Sequence, residues 1–223
     1  MTDAAVVVRG ETLQLLPERA VYWARQQTLL IADPHFGKAA TFRASGIPVP
    51  AGTTLNAVDR LESVVARTSA QTIVFLGDFL HAREGRSPST LDELQRWRDR
   101  CTELKLVLVR GNHDRHAGDP PAGMSITCVD PPFMMSPFAL AHHPRRDRAE
   151  YQIAGHLHPA VRLSGSARQS LRLPCFVFGA SGAILPAFGD FTGVCDIEPE
   201  PGDQVFAVAD EAVIAVSSGR ISL

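Results

Sequence analysis

The chain has 223 residues, 45% hydrophobic and 21% charged, with a formal net charge of −2 at pH 7, which excludes a disordered protein and allows a substantial core. No stretch approaches the roughly 18 consecutive apolar residues of a spanning helix, and MTDAAVVVRGETLQ lacks the parts of a signal peptide. A cytoplasmic protein with no membrane partner is therefore expected.

Residues 20 to 32 read as a hairpin whose second arm, residues 28 to 32, is a buried strand ending at Asp33. Leu55, Val58, Leu61, Val64 and Val65 recur at helical spacing, with Thr53 or Thr54 as N-cap candidates, and predict a helix to about Arg67. A second buried strand, 72 to 76, ends at Gly77-Asp78. Residues 88 to 103, with Pro88 near the start, read as a helix, and 106 to 109 as a third strand ending at Gly111-Asn112-His113-Asp114. Strand, helix, strand, helix, strand implies right-handed crossovers and a parallel sheet. From Ser125 onward short strand candidates crowd together (125–129, 138–141, 151–154, 160–164, 171–178, 194–197, 204–208 and 212–216) with Gly and Pro between them. They predict a second sheet packed on the first within a single α/β domain spanning 1–223. Cys101, Cys128, Cys175 and Cys195 form no CxxC pair and read as small buried residues in a reducing compartment.

Eight histidines gather between residues 35 and 158, and most follow an apolar run. In an α/β protein the position just beyond a strand's carboxyl end is where ligands usually bind. Five blocks line up there: Asp33-Pro34-His35, Gly77-Asp78-Phe79-Leu80-His81, Gly111-Asn112-His113-Asp114, His142-His143 and Gly155-His156-Leu157-His158. Carboxylate, imidazole and amide oxygen suit a divalent ion of intermediate hardness, whereas the lack of thiolate disfavours structural zinc. In a strand-like Asp-x-His, alternation puts both side chains on one side, within reach of one ion. The spacing of His156 and His158 is the same.

In this order the blocks resemble the calcineurin-like metallophosphoesterases, whose pattern is D-x-H, GD, GNH(D/E), H and GHxH; the resemblance spans residues 33 to 158. It implies an α/β-β-α sandwich of two packed mixed sheets flanked by helices. It assigns Asp33, His35, Asp78 and His158 to a first metal and Asp78, Asn112, His142 and His156 to a second, with Asp78 bridging. His142 is preferred to His143 because the family's ligand closes the strand directly. A water held between two such ions would lose its proton near neutral pH and attack phosphorus in line. By the same resemblance His113 is no ligand but faces the phosphate as acid or electrostatic stabiliser, and Asp114 either helps hold it or caps a turn.

His81 narrows the expectation. Phosphoprotein phosphatases carry GDxxDRG, whereas GDFLH resembles the DNA double-strand-break repair nucleases, in which this histidine stands beside the catalytic one; otherwise His81 merely starts a loop. Gly37 to Pro50, GKAATFRASGIPVP, together with Leu185 to Gly193, LPAFGDFTG, resembles the bacterial ligase-associated DNA damage response endonucleases. Pro34 stands where that family more commonly has Leu, at a position that ligates nothing. The resemblance implies manganese, a single-stranded DNA substrate, and a DNA ligase, a helicase and an exonuclease as partners in repair. Lys38 and Arg43 would cradle a phosphodiester backbone; alternatively their segment is a Pro-rich loop in which Gly46 sets a turn before a helix.

The net charge taken alone opposes nucleic acid, but it is unevenly spread. No Lys or Arg occurs from 173 to 219, where seven acids lie, which leaves residues 1 to 172 at +4. That division permits a basic face beside an acidic segment, or only a solvated acidic edge. Arg83, Arg86, Arg110, Arg115, Arg145, Arg146 and Arg148 flank the blocks and are candidates for the rim. Trp23 and Trp97 fall in core elements, so no base-reading platform is expected. The expected activity is thus a metal-dependent phosphodiesterase, a non-specific single-strand DNA endonuclease. The alternatives are a phosphoesterase acting on cyclic nucleotides, dinucleoside polyphosphates or monoesters, and a non-catalytic scaffold of the same fold.

Overall fold

The structure is a computed structural model that describes residues 1–49, 52–145, 147, 149–164 and 170–216. Pro50, Arg146, Arg148 and Arg220 lie outside these described residues. A first sheet of seven strands runs in chain order: β1 (Ala4–Val8), β2 (Glu11–Leu16), β3 (Ala20–Trp23), β4 (Thr28–Ile31), β5 (Thr72–Phe75), β6 (Lys105–Val109) and β7 (Ile126–Val129). The first four form an antiparallel meander, and β4 to β7 are parallel.

Helices α2 (Thr53–Thr68) and α3 (Pro88–Arg100) make the crossovers, with α1 (Lys38–Ala44) ahead of them. The parallel strands are apolar on both faces because both are covered. Leu29, Ile31, Ile73 and Phe75 pack against Leu61 and Val64 of α2 and Leu94 and Trp97 of α3, while the alternate residues Leu30 and Val74 face a second sheet. Pro88 opens α3 and the Ser87 hydroxyl accepts from the Thr90 amide at 3.3 Å, a normal N-cap. The helix ends at Arg100, short of the expected 103, because the Arg98 guanidinium reaches the carbonyls of Cys101 and Leu104 at 2.6 and 3.0 Å. Neither Thr53 nor Thr54 caps α2; that place belongs to Gly52.

Among the described residues the second sheet has nine strands: β8 (Phe133–Met135), β9 (Phe138–Leu140), β10 (Tyr151–Ala154), β11 (Pro159–Ser164), β12 (Ser170–Phe178), β13 (Gly182–Ile184), β14 (Cys195–Asp196), β15 (Gln204–Ala209) and β16 (Ala212–Val216). It is mixed: β10 runs parallel to β9 and β13, whereas β12 pairs antiparallel with β11, β13 and β15. Its inner face, with Phe138, Ile153, Phe176 and Phe206, closes on Trp23, Leu30 and Val74 of the first sheet. The architecture is therefore two packed mixed sheets with helices, of the α/β class.

Three expectations need correction. The strand near 125 is β7 of the first sheet, because it continues the parallel ladder from β6. The Gly37–Pro50 segment contains α1 instead of a loop alone. Among the cysteines Cys175 is buried, Cys101 and Cys128 are half-buried, and Cys195 is exposed on the short strand β14; all four are free thiols.

Candidate metal centre

Five loops meet at one edge of the sandwich. Three follow the adjacent parallel strands β4, β5 and β6, and two follow the parallel pair β9 and β10. The first two loops are joined through their backbones: the amides of His35 and Phe36 donate to the carbonyls of Asp78 and Phe79, both at 2.9 Å.

The pairing of Asp33 with His35, and of His156 with His158, does not come from strand alternation. All four residues have left-handed backbones, with φ of 51°, 46°, 70° and 48°, and Asp78 has φ 54°. Each such residue costs about 1–3 kcal/mol of local strain, which the surrounding contacts must overcome. Close approach also explains two glycines. At Gly77, where φ is +81°, a Cβ would sit inside the His142 ring, and at Gly155 it would sit inside the Asp33 carboxylate.

The donors form linked groups. Asp33, His35 and His158 can offer ligand atoms within 4.8 Å of one another, as can Asp33, Asp78 and His142, and His142, His143 and His156. Asp78 stands between the halves, its Oδ2 lying 3.3 Å from His142 Nε2 and 3.8 Å from His35 Nε2. Asn112 Oδ1 and His156 Nδ1 approach His142 Nε2 at 2.8 and 3.1 Å. Asp33 Oδ2 accepts from the His156 amide at 2.8 Å, while among the described residues its fully buried Oδ1 has no hydrogen-bond partner. An orphaned buried carboxylate oxygen is costly, and here it lies 3.5 Å from His158 Nε2. This oxygen- and nitrogen-rich donor set, with one carboxylate shared by two groups, fits a pair of divalent cations.

Backbone carbonyls orient three of the imidazoles. The Nδ1 atoms of His142, His158 and His113 lie 3.0, 2.8 and 2.6 Å from the carbonyls of Leu76, Gly193 and His81. A carbonyl only accepts, so each Nδ1 carries the hydrogen, and in His142 and His158 it is Nε2 that would release its proton to offer a lone pair to an ion. Burial drives His35 down to about 2 and His81 down to about 4, so both are neutral at pH 7. Burial also opposes charging of His142 and His158, but the carboxylates of Asp78 and Asp33 prevail and raise both. Burial disfavours the Asp78 carboxylate too, yet the His142 hydrogen bond and the nearby imidazoles hold it at about 2.

His113 groups with His35 and His81 and not with the carboxylates. Its side chain is 37% exposed and its Nε2 lies 3.9 Å from Asp78 Oδ2. His81 stacks on it, with ring centroids 4.8 Å apart. Asp114 turns away from the imidazole and accepts from the amides of Asp78, Phe79 and Gly111 at 2.7, 2.9 and 2.8 Å.

Lys38 is half-buried and near the centre, where burial lowers its pKa while Asp33 and Asp78 act to raise it. Arg43 is exposed, and its guanidinium reaches the Val49 carbonyl at 3.5 Å. Among the other rim candidates, Arg83 and Arg86 donate to carbonyls between His116 and Asp119, and Arg110 pairs with Asp119 and Asp130. His143, which the sequence offered as the alternative to His142, also stands at the cluster, its ring 4.0 Å from that of His156.

The sequence matches the family model of the calcineurin-like phosphoesterases over residues 27–131. The solved structures it resembles include the nuclease MPE of Pseudomonas putida, at 41% identity and a TM-score of 0.86, covering 96% of this chain and 100% of that one. Another is Yfce, a phosphoesterase from E. coli, at 16% identity and a TM-score of 0.42, covering 86% of this chain and 99% of that one. No curated protein matches.

Proposed function

This chain belongs to the calcineurin-like phosphoesterase family, and from that premise we propose that it is a metal-dependent phosphodiesterase that cuts single-stranded DNA internally. The observation that carries the reading is the placing of one carboxylate: Asp78 Oδ2 lies 3.8 Å from His35 Nε2 on one side and 3.3 Å from His142 Nε2 on the other, with the partly exposed imidazole of His113 beside it. The likeness to a nuclease over nearly the whole chain favours nucleic acid as the substrate.

Asp33, His35, Asp78 and His158 would hold one ion and Asp78, Asn112, His142 and His156 the other, manganese being the expected metal. When bound, two divalent ions supply Lewis acidity, acidifying water and neutralising non-bridging phosphate oxygens. The remaining work falls to the chain. With Nδ1 committed to the His81 carbonyl, a proton on Nε2 makes His113 an imidazolium that can donate to the leaving alkoxide. His81 contributes that carbonyl and a stacking face. Asp114 holds the amides around Asp78 and Gly111 and so acts by positioning. Lys38 adds positive charge where the phosphate arrives, and Arg43 would meet the strand farther out. A cytoplasmic role in DNA repair beside a ligase, a helicase and an exonuclease follows from the family resemblance.

The purified protein should be incubated with manganese and, in parallel, circular single-stranded DNA, duplex DNA and a phosphomonoester. A circle can be opened only by internal cleavage, so its linearisation is the expected result. Turnover of the monoester with both DNAs intact would replace this reading with a small-molecule phosphoesterase.

A further inference from the structure

A cleft of about 400 Å³ opens beside the half of the centre formed by Asn112, His142 and His156. His143 forms part of its wall, with Arg115 and Arg145 among its lining residues and Pro131 and Pro132 supplying an apolar surface. We propose that this cleft binds the nucleotide flanking the scissile phosphodiester, with its phosphate on Arg115. The inference rests on the endonuclease reading and adds to it a second point of contact on the strand.

Three features point to Arg115. It lies three residues after Asn112 on α4 (Asn112–Ala117), so both side chains project from one helix face and a phosphate on Arg115 would be a neighbour of the ion site. It is exposed, and among the described residues its guanidinium has no hydrogen bond or ion pair. By contrast Arg110, which also lines the cleft, is paired with Asp119 at 2.7 Å and Asp130 at 3.4 Å, so its charge is largely offset. A planar guanidinium with all its donors free is the side chain best suited to a phosphate.

The opposite wall is held in place. The amide of Arg145 donates at 2.5 Å to Oε1 of Gln152, a β10 side chain only 2% exposed. That bond fixes the turn carrying His143 and Arg145, and leaves Gln152 Nε2 buried without a partner. The volume falls within the range of about 300–1,000 Å³ typical of small-molecule sites, enough for one nucleotide.

The test compares wild type, R115A and R115K on bis-p-nitrophenyl phosphate and on a thymidylate ladder from the dinucleotide upward, across a salt series. In the wild type kcat/KM should rise about tenfold at the rung that fills the cleft, and R115A should remove that step. The ratio of oligonucleotide to diester turnover should fall about tenfold in R115A, with partial recovery in R115K. The salt slope on oligonucleotides should shrink by about 0.7, the share of one single-strand phosphate contact. A step that survives in R115A overturns the subsite, as does an equal loss on both substrates, which would place Arg115 at the scissile phosphate. A wild-type protein that hydrolyses the diester but no rung overturns the endonuclease reading and the subsite together, and is recognised before any variant is compared.

Discussion

Three backbone amides, those of Asp78, Phe79 and Gly111, end on the two oxygens of one buried carboxylate, Asp114. Asp114→Ala would orphan all three donors at about 1–3 kcal/mol each, so a loss of at least about 3 kcal/mol is expected in thermal unfolding of the metal-free protein. His113→Ala removes a partly exposed ring. It should leave the melting temperature and the metal content unchanged while turnover falls by roughly 10²–10⁴, the span of general acid catalysis. Loss of an ion in His113→Ala would recast it as a ligand, and an unshifted melting temperature in Asp114→Ala would refute the clamp. Asp78→Ala should lower the metal content and abolish turnover, because both donor groups lean on that carboxylate. At this scale the sequence discloses the donors' identities, since each block keeps its residue types in order. It does not disclose what Asp114 holds, because two of its partners lie 35 and 36 residues away. Nor does it disclose the left-handed backbones of Asp33, His35, His156 and His158, since alternation in an extended strand accounts for the same i, i+2 spacing.

The loop after β10 passes so close to the one after β4 that Gly155 has no room for a side chain. Asp33 and Ala32 on the facing loop are fully buried and cannot retreat. Gly155→Ala should therefore displace the Asp33 carboxylate, weakening metal retention and activity while far-UV circular dichroism stays that of the wild type. Full metal occupancy in that variant would show that the loops can part. The elements bearing the donors were legible for different reasons. α2 and the core strands β4, β5 and β6 have enough periodic apolar residues to be read directly. The three-residue strands β8 and β13 do not complete a recognisable pattern; β13 is defined by its pairing, as in Gly182 opposite Gln152 of β10. The β1–β2 hairpin turns through Arg9-Gly10, both at positive φ, 51° and 80°. Such a two-residue turn normally announces itself with Asn or Asp at the first position, and arginine there hides it.

Across the whole molecule the acidic segment is less a separate face than the linear count suggests. Asp190 pairs with Arg19 and Arg60, and Asp196 with Arg162 and Arg172, so part of the excess base in the first 172 residues is spent on the acids beyond it. The donors of the centre are divided as well. Asp33, His35, Asp78 and Asn112 follow strands of the first sheet, and His142, His156 and His158 follow strands of the second. Ions held by both sets would tie the two sheets together across the edge of their shared core, and a ligand that needs both sheets in place binds the folded state alone. Folding and metal loading are then linked: at a hundred times the dissociation constant one ion adds about 2.7 kcal/mol. For a protein of this size that corresponds to roughly 5–10 °C in melting temperature. Titrating manganese into chelator-treated protein should raise the midpoint steadily with concentration, and Asp78→Ala should lose most of the rise. A midpoint indifferent to manganese, in a protein whose catalysis requires it, would mean that the ions do not join the sheets.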